Sequence, residues 1–254
     1  IKRTLLNYWK DFRQNNKKPE RSSMKKLIQT FLPILVICSQ IFAIAGFGLH
    51  LDKSMYSVAE STTSLKVADI EVATITHHGF DNGIGIGGYL YIDAIPMVDI
   101  DIEGTVLISP YEFSFSNSAA SIDNKKFGWA DAAGYITLQK KLFKLSIPLL
   151  AKAKLTAGAG VNSHSSIPMI DQNMMESVMG GDDNLKSGTL DTDELIKYLK
   201  DNKVSSTGFH IQTGVQFKLL MLDSFLYYRQ VFADNVIPDA KGFGSLNLRL
   251  GMGF

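Results

Sequence analysis

Val98, Ile100, Ile102, Val106 and Ile108 are apolar, Gly104 falls in phase with them, and Asp99, Asp101, Glu103, Thr105 and Ser109 fill the positions between. Successive side chains of a strand point to opposite faces, so this segment has one apolar face and one polar, largely acidic face. A helix of period 3.6 would mix the two sets. The same period of two recurs along the chain. Ile84, Ile86, Leu90 and Ile92 oppose Gly85, Gly87, Tyr89, Tyr91 and Asp93. Over 145–162, Leu145, Ile147, Leu149, Ala151, Ala153, Leu155, Ala157, Ala159 and Val161 alternate with Ser146, Lys152, Lys154, Thr156, Gly158, Gly160 and Asn162. Phe209, Ile211, Val215 and Phe217 oppose His210, Gln212, Gly214, Gln216 and Lys218. The pattern is weaker over 129–139, where Ala130, Ala132, Ile136 and Leu138 face away from Asp131, Tyr135, Thr137 and Gln139. It is ambiguous over 224–232, where Tyr227 and Tyr228 fall on opposite faces. After Ile108 the apolar phase passes to Tyr111, Phe113 and Phe115, and Pro110 is read as a bulge that resets the alternation.

Connections between these segments alternate in length. They are short at 94–97, 140–144 and 219–223, and long at 116–127, 163–206 and 233–242. Tight turns at one end and long loops at the other are the organisation of a transmembrane barrel. No stretch after residue 46 approaches the about 20 apolar residues of a membrane-crossing helix. The first strand is read either as 47–58, leaving 59–82 as an outer loop, or as 65–76, leaving 77–83. Either choice makes eight strands, an even number that closes an antiparallel sheet; both together make the count odd.

The apolar run 27–45 follows Met24-Lys25-Lys26 and ends in Ala43-Ile44-Ala45, the small-x-small pattern of a signal-peptidase site. Residues 1–45 are therefore expected to be an upstream extension and signal peptide, and 46–254 a single barrel domain with 163–206 as its long external loop. A membrane anchor is the alternative for this run, although Gln29, Thr30, Pro33, Ser39 and Gln40 weaken it as a permanent span. Leu35-Val36-Ile37-Cys38 also resembles a lipobox, but Ile37 stands where that motif has a small residue. Cleavage after Ala45 removes Cys38, the one cysteine, and with it any disulfide or thiolate metal ligand. Nine of the 26 Lys and Arg but only two of the 25 Asp and Glu precede Gly46, leaving 17 basic against 23 acidic residues, a formal charge of −6. No basic stripe is present to neutralise a phosphate backbone, which argues against nucleic acid as a partner.

At the far end, Leu246, Leu248, Leu250, Met252 and Phe254 form one apolar face that finishes on an aromatic ring. This resembles the terminal strand of small bacterial outer-membrane β-barrel proteins, in which such a strand is read by the barrel-assembly machinery. The resemblance implies an all-β, antiparallel up-and-down transmembrane barrel of about eight strands in the outer membrane of a Gram-negative bacterium. It implies outer-membrane lipid and the assembly machinery as partners, and a structural or binding role through the external loops, without catalysis or a required cofactor; the external ligand is open. Alternation alone leaves the facing open as well. In a soluble lipocalin-like barrel the apolar set would line a ligand cavity. Two further readings on the same scaffold are passage of a small hydrophobic molecule through or along the barrel, and an outer-membrane lipid-modifying enzyme.

With the polar faces inward, the lumen receives Asp93, Asp99, Asp101, Glu103 and Asp131 together with Lys152, Lys154, Lys218 and Arg249. An eight-stranded interior is only wide enough for side chains to fill, so these charges are expected to form a salt-bridge network rather than a conducting path. The histidines give no ligand set: His77-His78 point apart in extended chain and lack a third partner. Ser163-His164-Ser165 offers a nucleophile and a base without a full triad. Residues 183–194 resemble an EF-hand calcium loop, with Asp183, Ser187, the Thr189 carbonyl, Asp191 and Glu194 at ligand positions and Gly188 at the turn, but Leu185 stands where an oxygen belongs. The other reading is a capping box, Asp191 at the N-cap and Glu194 three residues on, opening a short helix with Leu195, Ile196 and Leu199 on one side.

Overall fold

The computed structural model describes residues 45–67, 70–95, 98–118, 121–147, 151–178 and 192–253. Apart from Ala45, the signal-peptide reading of 1–45 lies outside them. The strands are β1 (Ala45–Val58), β2 (Ser61–Val67), β3 (Ile70–His77), β4 (Phe80–Ile95), β5 (Val98–Asn117), β6 (Ser121–Ile147), β7 (Ala151–Ser166), β8 (Val204–Leu219), β9 (Leu222–Phe232) and β10 (Phe243–Gly253). Two helices, α1 (Gln172–Val178) and α2 (Thr192–Asp201), lie between β7 and β8. Eight strands, β1 and β4 to β10, close into an antiparallel ring in which β1 pairs with β4 on one side and β10 on the other.

The paired residues Ala45, Ile92, Ile100, Leu138, Ala159, Ile211, Gln230, Gly244 and Met55 trace one circuit and return to β1 ten residues from the start. With about 3.3 Å per residue and about 4.8 Å between strands, a stagger of ten over eight strands tilts them by about 40° and gives a backbone radius of about 8 Å. Because the stagger is even, the two faces stay distinct around the whole circuit. Ile84, Ile108, Ile136, Leu138, Val161 and Phe209 point outward and are all more than half exposed. Asp101, Glu103, Asp131, His210 and Arg249 point inward and are buried. This overturns the lipocalin-like alternative, which needs the apolar set inside.

Both candidates for the first strand pair, yet the ring stays at eight. Residues 45–58 form its first strand, whereas β2 and β3 make a hairpin outside it. Residues 73–77 of β3 pair with 113–117 of β5, above the point where β4 has left that strand. The expected long loop 116–127 is also strand: β5 runs to Asn117 and β6 starts at Ser121, so a β6–β5–β3–β2 sheet extends beyond the barrel.

The turn expected at 140–144 lies instead between Ile147 and Ala151. Lys140, Lys141 and Lys144, which fall in that expected connection, belong to β6, which bulges between Lys141 and Phe143 and continues. The long alternating run 145–161 is thus two arms of a hairpin, with Pro148 between them. Short connections also follow β4 and β8, so all three tight links sit at one end.

Pro110 does not reset β5. Ser109, Tyr111, Phe113 and Phe115 are all buried on the same face as Asp101 and Glu103, and Pro110 pairs with Gly128 without a register shift. What changes above Ile108 is the filling of the barrel. Tyr111, Phe113, Phe115, Trp129, Val231 and Phe243 form an apolar plug at the external end, closed over by Ile170, Met174 and Met175 and by Val236 and Ile237. Asp171 caps α1 by accepting from the Met174 N–H at 2.8 Å, which fixes the two methionines over the mouth. On α2, Leu195, Tyr198 and Leu199 pack on this cluster while Ile196 is exposed, so the expected apolar side is rotated toward Tyr198.

Candidate functional site: the charged lumen

Below the plug the lumen is crossed by one connected polar layer. Glu103, from β5, is contacted by both guanidinium groups of the interior, Arg229 from β9 and Arg249 from β10, at the same carboxylate oxygen. Its other oxygen accepts from the Tyr227 hydroxyl at 2.6 Å and lies 3.5 Å from His50 Nδ1. Arg249 donates through Nη1 to Asp101 at 2.6 Å and through Nε to the Tyr227 oxygen at 3.1 Å. Asp101 also accepts from Gln139, and Arg229 donates to Gln212 at 2.9 and 3.0 Å. His50 in turn bonds Asn247 across the β1–β10 seam at 2.8 Å.

Aromatic rings complete the layer. The Arg229 guanidinium lies 3.9 Å from the Tyr135 ring centre, and that of Arg249 lies 4.8 Å from Tyr227 and 4.9 Å from Tyr89. Such stacking suits arginine because its planar cation is weakly hydrated. Buried charges are tolerable only when paired and hydrogen-bonded, and here two carboxylates and two guanidinium groups pair within one cross-section, with Arg229 Nη1 alone of the guanidinium nitrogens left without a hydrogen-bond partner.

The other lumen candidates are distributed along the axis. Asp131 binds His164 at 2.7 Å nearer the external end. Toward the short-turn end, Asp93 is bonded by Lys141 and by Lys154 at 3.1 Å, Asp99 lies 3.0 Å from Lys141, and Lys218 lies 3.8 Å from Asp223. Lys152 is exposed and joins no ion pair among the described residues. Arg229, Tyr227, Asp223, Lys141 and His50 were missed by the alternation. In β9 the inward residues are Asp223, Phe225, Tyr227, Arg229 and Val231, so aromatic residues occupy the lumen face and hide the period. Counting every second residue from Asp223 to Arg229 was the available signal.

Ser163 and His164 occupy opposite faces of β7, His164 buried and Ser163 exposed, so the two do not come together as nucleophile and base. His78 sits outside the barrel between Glu60, at 3.0 Å, and Asn124, at 3.1 Å, and its bond to Glu60 raises its pKa. Among the described residues no three His, Cys, Asp or Glu gather in a metal-binding group. Asp183, Ser187, Thr189 and Asp191 lie outside the described residues; Glu194 stands in the first turn of α2, within reach of Lys197. Leu246, Leu250 and Met252 of β10 point outward, Leu248 is half-buried, and Phe254 lies outside the described residues.

No protein-family model and no curated protein matches the chain. Solved structures similar to it include the outer membrane protein OprG from Pseudomonas aeruginosa, with 10% identity, TM-score 0.43, and coverage of 83% of this chain and 97% of that one. The N-terminal β-barrel domain of Pseudomonas aeruginosa OprF has 7% identity, TM-score 0.39, and coverage of 82% and 99%. Ail, the attachment invasion locus protein of Yersinia pestis, in complex with the heparin analogue sucrose octasulfate, has 11% identity, TM-score 0.39, and coverage of 83% and 99%. What makes the present chain a membrane barrel is its own register and facing: a closed ring with an apolar outer wall and a charged, polar interior.

Proposed function

We propose that this integral outer-membrane barrel is a filled, non-conducting scaffold that acts through its external end as a structural or binding element. One observation carries the reading: Glu103, Arg229 and Arg249, all buried, meet in a single cross-section with Tyr227 and His50, and the apolar plug lies above them. Ion passage would require breaking a buried pair and displacing the plug as well. The external end supports a binding role because, among the described residues, it carries paired strands and two helices packed on the apolar plug, a platform of the kind that holds recognition residues in place.

The experiment is single-channel recording on the folded full chain in planar bilayers. The expected record is silent. Discrete conductance steps from the parent protein would overturn the proposal and favour the passage reading. Appearance of steps only in Glu103→Ala would support it, because it would locate the closure in the network.

A further inference from the structure

β2 ends the strand order of the β6–β5–β3–β2 sheet and, among the described residues, pairs with β3 alone, so the main-chain N–H and C=O groups of its other edge have no strand to bond. Ser61, Thr62, Thr63 and Ser64 are exposed. Exposed edges are ordinarily blunted by charges, prolines or bulges. From Ser61 to Leu65 the strand carries none of them: the charged residues stand on either side, at Glu60 and Lys66, and the register shift against β3 falls after Leu65. An uninterrupted edge of this kind accepts an added strand through main-chain bonds.

The order of residues along the edge selects the strand, because Thr63 lies midway between Glu60 and Lys66. When two copies of β2 run antiparallel about a two-fold axis through Thr63, that residue meets its own counterpart, Thr62 meets Ser64 of the second copy, and Glu60 meets Lys66. Any other register parts Glu60 from Lys66 of the second copy. Hydroxyl pairs and opposite charges are favourable cross-strand neighbours, and the Thr62 and Thr76 hydroxyls already bond at 3.0 Å between β2 and β3. The signs also alternate along the resulting row, since Glu71 of β3 stands opposite Lys66 on its other side. Glu60 has a side chain 60% exposed and engages His78 through Oε2, which leaves Oε1 facing no cation among the described residues.

We propose that β2 is a homotypic contact strand through which this chain pairs with a second copy held in a facing outer membrane. The two-fold axis between antiparallel neighbours stands perpendicular to their sheet. This sheet continues the barrel wall through β5 and β6, so the axis lies nearer the membrane plane than its normal, and the second copy is turned over. The inference deepens the binding role proposed for the external end and rests on it. A single contact is short, but many copies on two apposed membranes act together.

The test places the folded full chain in two populations of vesicles carrying different lipid dyes and scores joining by two-colour coincidence of single particles. Vesicles with the parent chain should join one another and not vesicles without it. Glu60→Lys in both populations, or Lys66→Glu in both, sets like charges opposite one another and should weaken joining by about fivefold for each of the two pairs. Glu60→Lys in one population with Lys66→Glu in the other returns opposite charges to both pairs and should recover joining. The proposal is overturned if the parent does not join vesicles, if it joins bare ones equally well, or if folded charge variants join as the parent does. A mixture of folded variants that joins no better than either alone overturns it too. Energy transfer between labelled parent chains within single vesicles, without joining, would put the second copy in the same membrane and overturn it as well. Heat-modifiable gel mobility reports folding of each variant, and the parent against bare vesicles decides even if a variant does not fold. Failure of joining with a silent channel record leaves the filled scaffold standing, so the two readings fail separately.

Discussion

Replacing Glu103 by Ala removes the one carboxylate shared by Arg229 and Arg249. Arg249 keeps Asp101 at 2.6 Å, but Arg229 is left with the Gln212 oxygen, the Tyr227 hydroxyl and the face of Tyr135, none of which carries a charge. Breaking a buried pair while leaving its partner in place costs about 3 to 5 kcal/mol. Asp101→Ala should cost less, about 1 to 3 kcal/mol, because both guanidinium groups still reach Glu103 and only a charged hydrogen bond is lost. The double change Glu103→Met with Arg229→Met removes a matched pair and leaves Asp101 with Arg249, so it should be less destabilising than Glu103→Ala. Urea unfolding of the barrel in phospholipid vesicles, followed by tryptophan fluorescence and gel mobility, measures all three. If Asp101→Ala costs as much as Glu103→Ala, or the double variant more than either, Glu103 is not the centre of the network and the reasoning fails.

The outer wall is tested by Ile136→Lys, which places a charge on a half-exposed lipid-facing site level with Glu103; a loss of about 2 to 4 kcal/mol is expected near the midplane, and unchanged stability in vesicles would show the facing to be wrong. His78 is more basic than usual because Glu60 accepts its hydrogen bond, so the protonated pair persists below the raised pKa and is lost as pH rises through it. Proton NMR titration should show the His78 midpoint falling in Glu60→Gln, and an unmoved midpoint would contradict the pairing. Calcium calorimetry on the full chain separates the two readings of 183–194: binding heat that Glu194→Ala abolishes supports a calcium loop, and no heat with the parent leaves the capping box.

Facing was legible wherever the membrane enforced it. Between Val98 and Ile108 the outer wall must be apolar and the lumen polar, so the period of two appears directly in the composition of β5. It fails at Tyr111, where the strand leaves that constraint and its inner face packs on an apolar plug; the backbone continues in phase while the chemistry inverts. β9 fails for a related reason, since Phe225 and Tyr227 are large enough to fill the lumen and are also at home against lipid. The site was half legible. Asp101, Glu103 and Arg249 stood on clean alternating faces, but Arg229 and His50 entered from strands whose phase or boundaries the pattern left open. The meeting of all five groups depends on the ten-residue stagger, which is a property of the closed ring and of no single segment.

The seam between β1 and β10 has a consequence for the order of events in folding. His50 and Asn247 bond across it although they are 197 positions apart in the chain. Until the last strand arrives, β1 lacks its partner on that side, and a nearly complete sheet presents two unpaired edges and an apolar wall at once. Local contacts within hairpins form quickly, whereas the closing contact waits on the slowest loop of the molecule. A half-made barrel is therefore an aggregation hazard until the β1–β10 seam closes and pairs both edges.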